Sequence, residues 1–498
     1  MRRRPLLSAA LALSLVLTSP GPGFARSAGS VRKPQRSAAA QPAASLPEAL
    51  SQQVAISRRG IPSLAVAVAE VATGQEVFGY QADQPRILAS NTKLLTTAAA
   101  VDLLGDGFEF RTPLLASGTI SDGVLAGDLA VVGSGDPNIS GRLYDGDSYA
   151  VFRTWAQALR ARGISRVTGD LYLVNGLFEP THIHPDWPRD QLGRWYEAPV
   201  DALSFSDNCI LVRVSPGNGP GLPGRIELVP DLKIYRVVSN VVTTESRRRH
   251  SLIVYREPES REIRVSGEVW ARSGPFEAWV TVPEPVDYFG AALRAALEEE
   301  GITIAGRSAV AEKLPEGSWE TLAEHRSDLA TTLSVTNHRS QNFYAESLLK
   351  VLGARTHGEG SWPAGVQAVR EFLARQGVGD GVQLADGSGM SRNNRATPRE
   401  MTQLLRAMYL HPAGATFVRS LPSSGCAEPG WRYRLAQPPY RGNVLAKTGT
   451  LSDVSTLSGY AKARSGKLYA FSILANNTAV WRARTVQDAI LRQLIDHG

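Results

Sequence analysis

The chain predicts an α+β protein whose two ends form one domain around a long, β-rich insertion. Three observations carry this. Alternating apolar runs near residue 63 and after residue 444 read as strands of one antiparallel sheet. Helical patterns follow the first strand pair and return from Ser327 onward. Between them, residues 113–325 change character, with short β-like runs between Gly, Asp and Pro turns. At 498 residues, 43% hydrophobic and 20% charged, the chain can hold several domains with a real core.

Taken in order, MRRR is a cationic start, PLLSAALALSLVLT an apolar run too short to span a bilayer comfortably, and Ala25 a small residue suited to cleavage. Residues 1–25 therefore read as a secretory signal peptide, with Sec or Tat export left open. No cysteine near Ala25 offers a lipid anchor, and no later segment is long and apolar enough for a stable span. Residues 26–45 are low in complexity and read as a disordered linker. LPEALSQQVAI is a short helix. SLAVAVAEVATGQEVFGY is two strands turning at Thr73-Gly74. SNTKLLTTAAAVDLLG is a helix ending at Gly105.

In the insertion, runs such as RVTGDLYLV, CILVRVSPG and REIRVSGEVW read as strands, interrupted by helices at about 149–162 and 287–300. TPREMTQLLRAMYL is a marked helix, with Thr397 as cap, Pro398 in the first turn and Glu400 completing a capping box. VLAKTGTL, VSTLSGYAKA and LYAFSILANN are three strands. A helix from about 480 to 496 turns Ile490, Leu491, Leu494 and Ile495 to the core.

The formal charge of +7 falls by three, to +4, once Arg2, Arg3 and Arg4 are set aside. This mild excess suits an anionic surface such as cell-wall polymer. No basic run with interleaved aromatics points to nucleic acid, and Arg247–Arg249 reads as a solvated loop. Cys209 and Cys426 leave one disulfide or two separate thiols open. The eight histidines show no metal-ligand spacing, and no cofactor is expected.

Short motifs point to chemistry only in combination. Ser-X-X-Lys occurs at Ser30/Lys33, Ser90/Lys93 and Ser347/Lys350. Only Ser90 stands where a helix begins, where unpaired N–H groups favour developing negative charge. Lys93 shares its face and reaches its hydroxyl; the plain alternative is a cap and a surface lysine. Ser-X-Asn occurs at Ser206–Asn208, Ser340–Asn342 and Ser391–Asn393, and spacing does not choose among them. Lys447-Thr448-Gly449 occurs once, on a strand, followed by Thr450. A lysine and hydroxyls there suit a carboxylate, and a glycine lets a backbone come close; a strand with a snorkelling lysine is the bland alternative.

The ordered trio Ser-X-X-Lys, Ser-X-Asn, Lys-Thr-Gly is that of penicillin-binding proteins and class A β-lactamases. The chain resembles the S13 family of D-alanyl-D-alanine carboxypeptidases/endopeptidases, the class C low-molecular-mass penicillin-binding proteins. The resemblance rests on ASNTKLLTTAAA, VVGSGDPNIS, ALSFSDN, SQNFYAESLL, ADGSGMSRNNRATP and LAKTGTLSDVSTLSGY, and covers nearly the whole mature chain. It fits the long interval between Lys93 and Ser340. It departs at Gln341, where Asp is common, and at SLPSSGCAEPGWRYR (420–434).

The resemblance implies a serine β-lactamase/DD-peptidase-like domain, an antiparallel sheet flanked by helices plus an all-helical region, at 46–112 and 326–498. It implies one insertion domain at 113–213 and 284–325, and a nested one at 214–283. It implies Ser90 as nucleophile, Lys93 as its base, Ser340, Asn342 and Lys447 as further catalytic residues, and Thr448, Gly449 and Thr450 as substrate-binding residues. Implied partners are peptidoglycan stem peptides, with β-lactams as inhibitors, outside the cytoplasm; a homo-oligomer stays open. A serine β-lactamase or esterase on the same domain, and a non-catalytic wall-binding protein, are the alternatives.

Overall fold

The computed structural model describes residues 44–498; the expected signal peptide and nearly all of the 26–45 linker lie outside the described residues. The first helix, Leu46–Ser57, starts at Ser45. The backbone N–H and hydroxyl of Ser45 both donate to Glu48, at 2.9 and 2.8 Å. This satisfies a helix-start donor that would otherwise need water.

The two ends of the chain build one five-stranded antiparallel sheet, in the order Val444–Leu451, Val454–Lys462, Leu468–Asn476, Ser63–Glu70, Glu76–Tyr80. Six consecutive residues of Ser63–Glu70, from Leu64 to Ala69, are buried. That continuous apolar run is what a strand covered on both faces requires. Leu64, Val66 and Val68 pack with Leu50 and Val54 of the first helix and Ile490, Leu491 and Leu494 of the last, Val480–His497. Tyr460, Ala470 and Leu474 join the core of the helical region, with Leu94, Leu404, Leu405 and Met408. The Pro398–Leu410 helix carries the expected box: Thr397 N–H donates to Glu400 at 2.8 Å, and Glu400 N–H donates to Thr397 Oγ1 at 3.1 Å.

The interposed segment makes three further sheets. The largest centres on Val124–Val132, with Glu109–Ser121 and then Glu320–Asp328 to one side. Helices Ala150–Ala161 and Pro285–Glu299 share its core through Phe152, Trp155 and Phe289. Cys209–Ser215 pairs with Arg225–Val229 and Phe276–Thr281 in the second sheet. Glu262–Trp270 organises the third. Glu109–Ser121 runs through 112/113, where the sequence changes character, and Cys209–Ser215 runs through 213/214, a domain border that the resemblance implies. Composition marks a change of surroundings, and a strand can continue across it. Cys209 is buried, Cys426 is half-buried, and both are free thiols. No helix among the described residues is long and apolar enough to cross a membrane.

Candidate active site

Ser90 lies in a short 3-10 turn, Ala89–Asn91, that runs into the helix Thr92–Leu104. Ala89 is held at a φ of 47°, a left-handed conformation unusual for a residue with a Cβ. Three contacts fix this turn. Asn91 Nδ2 donates to the carbonyl of Lys447 at 2.8 Å, and Thr456 Oγ1 donates to the carbonyl of Leu88 at 2.7 Å. Gly449 completes the seat, because a Cβ there would lie 2.7 Å from Leu88 O and 3.0 Å from Asn91 N. The close approach that Gly449 permits is thus made by the chain's own turn.

Lys93 is not the surface residue its charge alone suggests; it is fully buried. Its Nζ donates to Ser90 Oγ at 3.1 Å, Asn342 Oδ1 at 2.7 Å and the carbonyl of Ser388 at 2.7 Å. Burial brings its pKa down to about 7, against the opposing pull of Glu346 and Asp386. An amine with that pKa is poised to exchange a proton near neutrality.

Ser340 precedes the helix Asn342–His357 and is also left-handed, with φ 56°. Its hydroxyl accepts from Lys447 Nζ at 2.8 Å. The same Nζ donates to the carbonyl of Thr448 at 2.7 Å. Lys447 is buried, and its pKa is driven well below the usual lysine range by burial and then by the charge of Lys93. Thr448 is half-buried, whereas Thr450 is exposed, its hydroxyl 3.4 Å from a guanidinium nitrogen of Arg484.

The structure therefore brings Ser90, Lys93, Ser340, Asn342 and Lys447 into one connected cluster. A family model described as "D-Ala-D-Ala carboxypeptidase 3 (S13) family" matches residues 44–495.

The chain belongs to this S13 family.

It is 33% identical over 448 residues to the D-alanyl-D-alanine carboxypeptidase of Actinomadura sp. (strain R39), covering 87% of this chain and 81% of that one. The crystal structure of penicillin binding protein 4 (dacB) from Haemophilus influenzae superposes with a TM-score of 0.75 at 27% identity, covering 89% of this chain and 97% of that one. The same protein complexed with a novel β-lactam gives 0.73 at 26% identity, covering 90% and 99%. The S13 assignment bears out the expected fold class.

Ser30/Lys33 lies outside the described residues, and the other motif copies make structural contacts. Ser347 and Lys350 are buried; Lys350 Nζ donates to Thr181 O at 2.6 Å and sits 3.7 Å from the Trp362 ring centre. Asp207, inside Ser206–Asn208, pairs with Arg142. Ser391 Oγ and Asn393 Nδ2 donate to Asp186 at 2.6 and 2.9 Å.

Sequence reasoning named Asn342 beside Lys93 and missed the groups that hold Asn342 and the Ser388 loop in place. Asn342 Nδ2 donates to the carbonyl of Tyr196 at 2.7 Å, which turns its Oδ1 to Lys93. Glu346, one helical turn after Asn342, is fully buried. Its carboxylate accepts from Gly387 N at 2.9 Å, Ser388 N at 2.7 Å and Trp362 Nε1 at 2.9 Å. It thereby fixes the loop whose Ser388 carbonyl holds Lys93. A glutamate in the largely apolar helix stretch FYAESLLKVLG was the available signal.

Proposed function

We propose that this S13 chain is a serine-type D-alanyl-D-alanine carboxypeptidase that works through an acyl-enzyme and is acylated by penicillin. One observation carries the reading: Lys93 Nζ, in a buried site, lies 3.1 Å from Ser90 Oγ, a nucleophile and base at hydrogen-bond distance. The names of its relatives, among them a D-alanyl-D-alanine carboxypeptidase, supply the substrate class.

Ser90 Oγ attacks the carbonyl between two terminal D-alanines of a peptidoglycan stem peptide as Lys93 takes its proton. The backbone N–H groups of Ser90 and Thr450 receive the oxyanion; such a donor is worth roughly 3–4 kcal/mol of barrier. Ser340, backed by Lys447, passes a proton to the leaving amine. Asn342 orients Lys93 and offers its amide to the substrate. Lys447, Thr448 and Thr450 bind the terminal carboxylate, and Gly449, expected to bind substrate, instead lets the strand seat the turn that carries Ser90. Water then releases the peptide from Ser90. A β-lactam enters as a mimic of D-Ala-D-Ala, but its leaving amine stays tethered, so the adduct persists. Such a substrate lies outside the cytoplasm, as the expected signal peptide requires.

The test is intact mass after incubation with benzylpenicillin, beside Ser90→Ala. One stable adduct on the wild type alone supports the reading. Rapid hydrolysis of benzylpenicillin without an adduct replaces it with a β-lactamase. Neither adduct nor hydrolysis makes the chain a non-catalytic wall-binding protein.

A further inference from the structure

Beside Thr450, on the strand that carries Lys447-Thr448-Gly449, stands a cation that no acid claims. Arg484 lies in the second turn of the last helix, Val480–His497, and is half-buried. One of its guanidinium nitrogens donates to Thr450 Oγ1 at 3.4 Å, a long bond that leaves most of its N–H groups free. Its natural partner is Asp488, four positions on along the same helix face. Asp488 is taken from the other side: Arg434 donates to its Oδ1 through Nε at 3.0 Å and Nη2 at 2.7 Å. Two neighbouring guanidinium groups thus have one carboxylate between them, and Arg434 holds it. Among the described residues, no carboxylate lies within ion-pair distance of Arg484.

The surroundings leave this charge in want of an anion. Burial and then the like charge of Arg434 both work against it, and Asp488 is the weaker, opposing influence. Thr450 is exposed, so a ligand can reach the pair from solvent. Lys447, three positions before Thr450, can give that ligand a hydrogen bond but little charge. Its Nζ is already bonded to Ser340 Oγ and the Thr448 carbonyl, and burial holds its pKa well down. A guanidinium stays charged at every pH at which proteins fold, and its fork matches the two oxygens of a carboxylate.

We infer that Arg484 is a specificity-determining residue that reads the negative charge of the substrate's terminal carboxylate, together with the Thr450 hydroxyl. This deepens the function proposed above and rests on it. A carboxylate oxygen that accepts from Thr450 Oγ1 at about 2.7 Å can also accept from a guanidinium nitrogen that lies 3.4 Å from the same hydroxyl. The ligands that gain are peptides and β-lactams with a free carboxylate on the residue after the scissile bond. A peptide blocked there as an amide cannot use the charge. Once the terminal D-alanine has left, the acyl-enzyme no longer carries that carboxylate. Arg484 therefore acts on formation of the ester at Ser90 and not on its hydrolysis.

The test reads kcat/KM of the mature full chain on two peptides that differ only at the C-terminus, one ending in D-Ala-D-Ala and one in D-Ala-D-alaninamide. The wild type is expected to prefer the acid about tenfold or more. Arg484→Gln is expected to lower that preference about tenfold, through a loss on the acid. Arg484→Lys, which keeps the charge without the fork, is expected to fall between the two. If Arg484→Gln does not fold, a lowered ratio in Arg484→Lys still decides for the assignment and an unchanged one against it. An Arg484 that merely props Thr450 would slow both peptides equally. An acid-to-amide ratio that Arg484→Gln leaves unchanged, whether both rates hold or both fall, therefore overturns the assignment. So does a wild type that cleaves both peptides without preference. A wild type that forms no benzylpenicillin adduct and cleaves neither peptide overturns the function on which it rests.

Discussion

Lys93 and Lys447 are two buried lysines in one site, and the charge on Lys93 adds to burial in holding the Lys447 pKa down. Lys93 differs because Glu346 and Asp386 oppose its burial and leave it at about 7. Each ammonium has its own serine, Lys93 at Ser90 and Lys447 at Ser340. Two adjacent sites that cannot comfortably both be charged titrate as a pair.

The first prediction is a pH profile. Lys93 must be neutral to take the Ser90 proton, and its neutral fraction grows as pH rises through about 7. The acylation rate with benzylpenicillin should therefore climb along an acid limb with an apparent pKa near that value. A limb near the ordinary lysine pKa of about 10.4 would show that burial does not depress Lys93 in solution.

Much of this architecture was legible from the chain. Thr397, Pro398 and Glu400 announced a helix start because capping is local chemistry. Leu64 to Ala69 read as part of a strand, and the structure buries all six. Lys93 stood out only with Ser90 ahead of it and Lys447-Thr448-Gly449 far behind. What stayed hidden has no residue-type signature. The carbonyls of Ser388 and Tyr196, which aim Lys93 and Asn342, look the same in every sequence. The left-handed turns at Ala89 and Ser340 fall on residues that give no warning of them. Chain position alone could not separate Ser340–Asn342 from its copies; their differing contacts now do.

Glu346→Gln tests the support beneath Lys93. Both Glu346 oxygens accept N–H donors. An amide must turn its NH2 toward at least one of them, leaving buried donors face to face at a cost of about 1–3 kcal/mol. A lowered Tm is expected. Loss of the carboxylate also removes a charge that raises the Lys93 pKa, so the acid limb of acylation should move to lower pH. A lower Tm with an unmoved limb would make Glu346 a purely structural residue.

Gly389→Ala tests the contact between the DGSG loop and the nucleophile's turn. Gly389 has φ 87°, and a Cβ there would lie 1.9 Å from the Ala89 carbonyl oxygen. Backbone cannot yield as a flexible side chain would, so the turn before Ser90 must shift. A misplacement of about 1 Å is enough for a loss of about a hundredfold. Acylation by benzylpenicillin should fall by that order while circular dichroism stays native-like. An unchanged rate would mean that the Ser90 turn does not depend on this loop.

Glu197 gives the last prediction, on stability. It is fully buried, neither carboxylate oxygen has a partner, and burial followed by the charge of Asp190 pushes its pKa up to about 8. In the unfolded chain the same carboxyl ionises near its ordinary value of 4.5. Between those two values the folded state holds the proton more tightly, so ionisation costs stability as pH rises from about 4.5 to about 8. Glu197→Gln keeps the shape and cannot ionise. Its Tm should match the wild type at about pH 4.5, exceed it increasingly toward pH 8, and hold a constant lead above that. A lead that is the same at every pH would mean that Glu197 does not change its protonation on folding.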